Sequence, residues 1–148
     1  MKPTPKGWPR LSASVYYDDP RAAIEWLCKA FGFEKRLVVE GEDGSIAHSE
    51  LTFGEGLVMI GGADAHAEEE GRSLYSSPKH TGGKITGALC FFVDDCDAHH
   101  QNAIAQGATI FRAPVTNDYG EEYWTDRSYG ALDLEGHLWW FMQRIKGA

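Results

Sequence analysis

The same order of structural signals occurs twice along this chain of 148 residues. In each half, a short apolar stretch precedes an Asp-Asp pair, a longer stretch with apolar positions follows the pair, and a glycine ends it, at Gly32 and at Gly107. An acidic residue suits the N-cap of a helix, and glycine suits the left-handed position that terminates one. Short strand-like segments then follow each glycine. In the second half, the predicted strand before the helix spans residues 85–93 and the first strand after it spans residues 108–113. The pattern therefore predicts a strand, a helix and three further strands in each half.

These signals divide the chain into a lead, two modules and a connecting segment. Residues 1–10 contain Pro and Gly breaks and no apolar segment, which argues against a signal peptide. The first βαβββ module spans residues 11–62 and the second spans residues 85–145, while residues 63–84 are rich in charged and small residues and predict a linker. Because one helix cannot cover a whole sheet, we expect an α+β fold in which the two βαβββ modules pair into a curved mixed sheet around a central cavity.

The end of the second module predicts a hairpin. Aromatic residues lie on both sides of a turn that runs from Asp133 to His137, which is typical of two paired strands. Gly136 is expected to adopt a positive φ in this turn. Gly130, inside the preceding strand, predicts either a bulge or the close approach of another backbone.

The composition limits the classes of partner. With 22 acidic against 14 basic residues, the formal net charge is -8. A surface that follows nucleic-acid phosphates needs the opposite sign, and no apolar run is long enough to cross a bilayer, so we expect neither partner. A cationic compound would be attracted instead. Three cysteines without metal-type spacing predict reduced thiols and a cytoplasmic location.

The order of these motifs resembles one protein family. The repeated module, the start of the second helix at Val93-Asp94-Asp95, and the closing Asp133-x-Glu135-Gly136-His137 turn with its aromatic strand are similar to one superfamily. This is the glyoxalase/bleomycin-resistance/extradiol-dioxygenase superfamily, also called vicinal oxygen chelate. The resemblance covers nearly the whole chain except the lead and the linker.

The resemblance also implies where a metal would be held. Metal-dependent members use ligands on the first and last strands of each half, and those positions fall at Ser12, Met59, Ala88 and Trp140. None of these four is a good ligand for a divalent ion, which needs several His, carboxylate or thiolate donors that converge. We therefore expect no metal site and no cofactor.

Strand alternation predicts which side chains share the concave face with these four positions. The lining is expected to be aromatic with few polar groups, which suits a flat organic ligand or, through cation–π contacts, a cationic one. A solid core built from the same side chains is the alternative. We expect ligand contacts from Tyr16, His48, Glu50, Phe92 and Trp140. Trp124 and Tyr129, which lie close in sequence to Asp126 and Arg127 in the final hairpin, are expected to contact the ligand near the mouth of the cavity.

His48 and Glu50 are two residues apart on a predicted strand and therefore share a face. In an enzyme they could act as acid and base, although no residue set is a firm catalytic candidate. A structural hydrogen-bonded pair is the alternative. Arg127 is expected to pair with Asp126 or Asp133 and to stabilise the fold.

Three functions follow from these observations. The first is a homodimeric small-molecule-binding protein of the bleomycin-resistance type that lacks the family metal site and binds an aromatic or cationic compound. The second is a metal-dependent, glyoxalase-like lyase or isomerase, or a dioxygenase, with displaced ligands. The third is a protein with a filled cavity that acts through its surface.

Overall fold

The structure, a computed structural model, describes residues 1–64 and 74–147. This part of the chain contains eight strands, two α-helices and a short 3₁₀ helix. The elements, in chain order, are β1 (Ala13–Tyr17), α1 (Pro20–Phe31), β2 (Glu34–Glu40), β3 (Ile46–Phe53), β4 (Gly56–Gly62), the 3₁₀ helix (Pro78–His80), β5 (Leu89–Phe92), α2 (Cys96–Ala105), β6 (Thr109–Asp118), β7 (Thr125–Leu132) and β8 (Leu138–Lys146). They divide between two compact units, Met1–Ser77 and Pro78–Ala148.

The first unit is a four-stranded mixed sheet with the order β1-β4-β3-β2. Strand β1 runs parallel to β4, and the other pairs are antiparallel. Helix α1 begins where the Asp19 carboxylate accepts the backbone N–H of Ala22 at 2.9 Å, and it ends at Gly32 with φ 77°. Apolar side chains of the helix and of alternate strand positions form the core, among them Tyr17, Ile24, Leu27, Phe31, Leu51 and Ile60.

The second unit repeats this arrangement with the order β5-β8-β7-β6. Strand β5 runs parallel to β8, and β7 is antiparallel to both of its neighbours. The Asp95 carboxylate caps α2 by accepting the N–H of Ala98 at 2.9 Å, and Gly107 follows with φ 89°. The prediction of two βαβββ modules in an α+β fold is therefore confirmed.

Two strand lengths differ from the prediction. Strand β6 was expected to end at Ala113, but it continues to Asp118. It passes through Pro114 because β6 is an edge strand, where a residue without an N–H is tolerated, and the register shifts between Arg112 and Val115. Strand β5 is shorter than the predicted 85–93.

The predicted linker, residues 63–84, contains residues 65–73, which lie outside the described residues. Within the described ranges, neither helix is long and apolar enough to cross a membrane.

The turn between β7 and β8 is organised by one buried carboxylate. Oδ1 of Asp133 accepts the backbone N–H groups of Glu135, Gly136 and His137 at 2.9–3.0 Å. Its Oδ2 accepts the indole N–H of Trp139 at 2.9 Å. Gly136 has φ 98°, as the turn pattern predicts. The same carboxylate therefore fixes both the turn and the orientation of the first large side chain of β8.

We predict that Asp133→Ala lowers the free energy of unfolding by about 3–5 kcal/mol, because several buried donors lose a charged acceptor. Asp133→Asn keeps an oxygen for the backbone N–H groups but turns an amide NH₂ toward the indole N–H of Trp139, so we expect a smaller loss of about 1–2 kcal/mol. Urea unfolding of the two variants and the wild type measures both values. Equal stability of Asp133→Ala and wild type would contradict the assigned role.

Candidate functional site

Each sheet has one face against its helix and an opposite face that the helix does not cover. In the second unit, the rings of Tyr129 and Phe141 lie 5.9 and 4.3 Å from the ring of His99 in α2, so these residues belong to the helix face. Alternate residues of a strand point to opposite sides, which places Gly130 and Trp140 on the other side. We call the sheet surface opposite the helix the open face.

Trp140 lies across the backbone of the neighbouring strand on this open face. It is paired with Gly130 in the antiparallel register of β7 and β8. A Cβ atom added to Gly130 would lie only 3.0–3.1 Å from three atoms of the indole ring. The ring can occupy this position only because Gly130 has no side chain. The sequence predicted either a bulge or the close approach of another backbone at Gly130, whereas the structure places an aromatic ring there.

Two residues of β6 border the Trp140 ring. The Arg112 guanidinium carbon lies 5.4 Å from the ring centroid, within cation–π range. Phe111 meets Trp140 edge to face at 6.0 Å between ring centroids, and its own side chain is 61% exposed. Within the residues that the structure describes, Arg112 has neither an ion-pair nor a hydrogen-bond partner.

A second cluster on the open face brings two of the predicted ligand residues together. The guanidinium carbon of Arg144 lies 5.4 Å from the Phe92 ring centroid and 5.1 Å from that of Trp124. Its Nε donates to Oδ1 of the buried Asp126 at 2.5 Å. Phe92 and Trp124 are both exposed. The sequence analysis missed Arg144, although it continues the alternation of Trp140 and Met142 along β8.

Tyr129 does not lie with Trp140, and this corrects the predicted site. It is fully buried on the helix face, with its hydroxyl 2.6 Å from His99 Nδ1 and its ring stacked on Phe141 at 5.2 Å. Burial raises the pKa of the Tyr129 hydroxyl. The prediction grouped Tyr129 with Trp124 and Asp126 by closeness in sequence, but residues of opposite parity point to opposite faces of a strand.

Arg127 also lies on the helix face, and its predicted partners are wrong. It makes a two-pronged ion pair with Asp97 of α2, at 2.9 Å from Nε and 2.7 Å from Nη2. The hydrogen bond from Arg127 lowers the pKa of Asp97. Asp126, one of the two expected partners, belongs to Arg144 instead.

The first unit contains a similar contact between an aromatic ring and a glycine. Tyr16 is paired with Gly61 in the parallel register of β1 and β4. A Cβ atom on Gly61 would lie 3.1–3.2 Å from two atoms of the Tyr16 ring. The Tyr75 ring stacks on Tyr16, with 3.7 Å between centroids and 10° between planes. Burial and the neighbouring Tyr75 raise the pKa of Tyr16.

His48 and Glu50 meet on the open face of the first sheet. His48 Nε2 lies 2.9 Å from Oε1 of Glu50, which is only 5% exposed. Nε of Arg36 lies 3.1 Å from the other carboxylate oxygen. Both oxygens of Glu50 therefore have a donor beside them. This favours a structural hydrogen-bonded pair over an acid–base pair.

Arg36 also joins the lead to the sheet. Its Nη1 donates to the backbone oxygen of Gly7 at 2.6 Å, and its guanidinium lies 5.2 Å from the Trp8 ring centroid. The lead, the β3–β4 turn and Arg36 together line an open cavity of about 470 Å³. Sequence alternation could not identify Arg36, because it occupies an irregular position between Lys35 and Leu37 where the register of β2 shifts.

The positions that the family resemblance assigns to a metal are carried by β1, β4, β5 and β8 or lie directly beside them. Met59 is paired with Ser14, and Trp140 is paired with Cys90, while Ser12 and Ala88 directly precede β1 and β5. Across residues 1–64 and 74–147, no group of three or more His, Cys, Asp or Glu side chains could hold a metal ion.

We predict that Arg36→Ala lowers the free energy of unfolding by about 2–4 kcal/mol, because it leaves the buried Glu50 carboxylate without its guanidinium partner. His48→Ala is the matched control. The His48 side chain is 41% exposed, so its loss should cost less than about 1 kcal/mol. Urea unfolding compares the two variants, and a larger loss in His48→Ala would reverse the assigned roles.

Comparison with known proteins gives the family. The sequence model of the glyoxalase/bleomycin resistance protein/dioxygenase superfamily matches residues 11–141. An uncharacterized protein of Mycobacterium bovis is 30% identical over 138 residues, which cover 93% of this chain and 85% of that protein.

Solved structures agree with this match. TioX from Micromonospora sp. ML1 is 28% identical, with a TM-score of 0.66 over 95% of this chain and 99% of that one. A glyoxalase/bleomycin resistance protein/dioxygenase family enzyme from Burkholderia phytofirmans PsJN is 20% identical, with a TM-score of 0.61 over 89% of this chain and 96% of that one. Because the family match spans residues 11–141, the chain belongs to the glyoxalase/bleomycin resistance protein/dioxygenase superfamily.

Proposed function

We propose that the protein binds a small planar aromatic compound on the open face of its second module, and that Trp140 is the surface on which the compound stacks. The observation that carries this proposal is the placement of Trp140 over Gly130, which holds a large ring against the sheet. A ring fixed in this way loses little conformational freedom when a ligand stacks on it. Aromatic pairs add about 0.5–1.5 kcal/mol beyond the area that they bury.

The chemistry of the family's metal positions supports binding without an ion. Carried over by resemblance, these positions are Ser12, Met59, Ala88 and Trp140, and their side chains provide a hydroxyl, a thioether, a methyl group and an indole. None supplies the imidazole, carboxylate or thiolate that a divalent ion needs. At Trp140, the family's ligand position carries the stacking surface itself.

The charges on the same face favour a neutral or acidic aromatic compound over a cationic one. The guanidinium groups of Arg112 and Arg144 already lie against the rings of Trp140, Phe92 and Trp124. Any ring that stacks on Trp140 displaces the Arg112 guanidinium from over the indole, and a cationic ligand would then lie beside a positive charge that repels it. We therefore propose a neutral or acidic planar ligand.

A metal-dependent lyase, isomerase or dioxygenase with displaced ligands is the second candidate. The group that would carry it is the His48 imidazole, which is partly exposed and 2.9 Å from a carboxylate oxygen. Elemental analysis of the purified protein separates the two candidates. Stoichiometric Zn, Fe, Mn or Ni that is lost in a His48→Ala variant would support the enzyme.

We predict that Gly130→Ala weakens the binding of 2-naphthamide, a neutral planar probe, by about tenfold, because the new Cβ would push the Trp140 ring from its position. Trp140→Ala should weaken binding at least as much. Gly61→Ala is the matched control, since it disturbs Tyr16 in the first module by the same kind of contact and should leave the affinity unchanged. Titrations followed by the indole N–H signals in NMR spectra measure the affinities.

Circular dichroism of each variant establishes that it is folded. If folded Gly130→Ala and Trp140→Ala bind the probe as tightly as wild type does, Trp140 is not the stacking surface. If wild type binds no naphthalene probe at all, whether neutral or acidic, the proposed function is wrong.

A further inference from the structure

We propose that Arg112 selects the ligand's chemical class, so that the stacking surface on Trp140 takes planar aromatic acids in preference to neutral or cationic rings of the same shape. This inference rests on the proposed function, because it assigns the charge of a compound that stacks on Trp140. It is carried by the charged groups that surround the ring and by the way each of them is partnered.

Arg112, Arg144 and Asp126 are charged residues on the open face of the second sheet. Arg144 and Asp126 are cross-strand partners, and the 2.5 Å hydrogen bond between them neutralises both charges. Arg112 lies across from Gly130 on the other side of β7. It is exposed, and within the part of the chain that the structure describes it has no ion-pair or hydrogen-bond partner. The uncompensated charge beside the Trp140 ring is therefore positive.

Acidic residues outnumber basic ones in this chain, so the contact of Arg112 with an aromatic ring instead of a carboxylate is informative. The chain carries 22 acidic and 14 basic residues, and several of its other arginines have carboxylate partners, such as Arg21 with Glu40 and Arg127 with Asp97. In such a protein an acidic partner for Arg112 would be easy to supply. Instead, the cross-strand neighbour of Arg112 is the glycine that accommodates Trp140, so its guanidinium contacts an aromatic ring rather than a carboxylate.

The geometry allows one ligand to use both groups. A planar ring stacks on an indole at about 3.5 Å between planes. The Arg112 guanidinium carbon lies over the indole, 5.4 Å from its centroid, so a ring that stacks on this face takes the place of the guanidinium and leaves it at the ring's edge. A carboxylate on the ring's edge would then meet the guanidinium, whose N–H groups match the two carboxylate oxygens. The ring supplies the stacking contact, and the acid supplies the charge.

The test uses three probes with the same bicyclic ring and different charge: 2-naphthoate, 2-naphthamide and 2-naphthylmethylammonium. We expect wild type to bind the naphthoate about tenfold more tightly than the amide, and the ammonium compound most weakly, because a charge-assisted pair to arginine adds to the stacking. NMR titration at one pH and one ionic strength gives the three affinities.

Arg112→Gln should remove the preference by weakening naphthoate binding about tenfold while leaving the amide affinity unchanged. Arg127→Gln is the matched control. It removes an arginine from the neighbouring strand β7, whose side chain is on the helix face and paired with Asp97, so the naphthoate preference should persist.

The outcomes separate the two proposals. Equal binding of naphthoate and amide by wild type, with both lost in Trp140→Ala, would overturn the assignment of Arg112 and leave the stacking surface in place. Unchanged naphthoate preference in Arg112→Gln would also overturn it. Failure of wild type to bind any of the three probes would instead overturn the proposed function on which the inference rests.

Discussion

The register between β7 and β8 is the constraint on which the candidate site depends. It places Gly130 beside Trp140 and Asp126 beside Arg144, so both clusters of the open face follow from one alignment of two strands. A slip by one residue would turn Trp140 toward α2 and Trp139 outward. The Asp133 carboxylate opposes such a slip, because it holds the turn and the indole N–H of Trp139 at the same time. The position of the proposed stacking surface therefore depends on Asp133, which precedes Trp140 in the chain.

The two modules contain the same kind of contact between a glycine and an aromatic ring, but the rings have different surroundings. In each, a glycine on one strand admits an aromatic ring from the next strand, Gly61 with Tyr16 and Gly130 with Trp140. The Tyr16 ring is covered by Tyr75 from its own unit, whereas the group beside Trp140 is an exposed arginine. A ring covered by another ring of the chain serves stability, and a ring bordered by an exposed polar group remains available to a ligand. This difference is why we assign the site to the second module.

Much of the fold could be predicted from the sequence, because its signals are local. The capping carboxylates Asp19 and Asp95, the glycines that end the helices and the positive φ of Gly136 depend on a few neighbouring residues each. Alternation was also informative along β5 and β8, because it predicted that Phe92 and Trp140 share a face, and the parallel register of these strands places them on the same face.

The candidate site was harder to predict because its pairings depend on register between strands. Arg36 and Arg112 both lie where the register between strands shifts, so alternation along the strand could not predict the face to which their side chains point. Tyr129 was misplaced because it was grouped with residues that are close in sequence, whereas alternation along β7 points its side chain to the helix face. The homodimer, the cytoplasmic location and the predicted ligand contacts stay predictions.

The lead has a consequence for how the protein is handled. The family match begins at residue 11, yet Arg36 contacts Gly7 and Trp8 as well as Glu50. A shortened version trimmed to the family boundary would leave the guanidinium with only one of these three neighbours. The buried Glu50 carboxylate would then be paired with a guanidinium that the lead no longer holds in place. We therefore expect a domain that starts at residue 11 to have a lower free energy of unfolding than the whole chain.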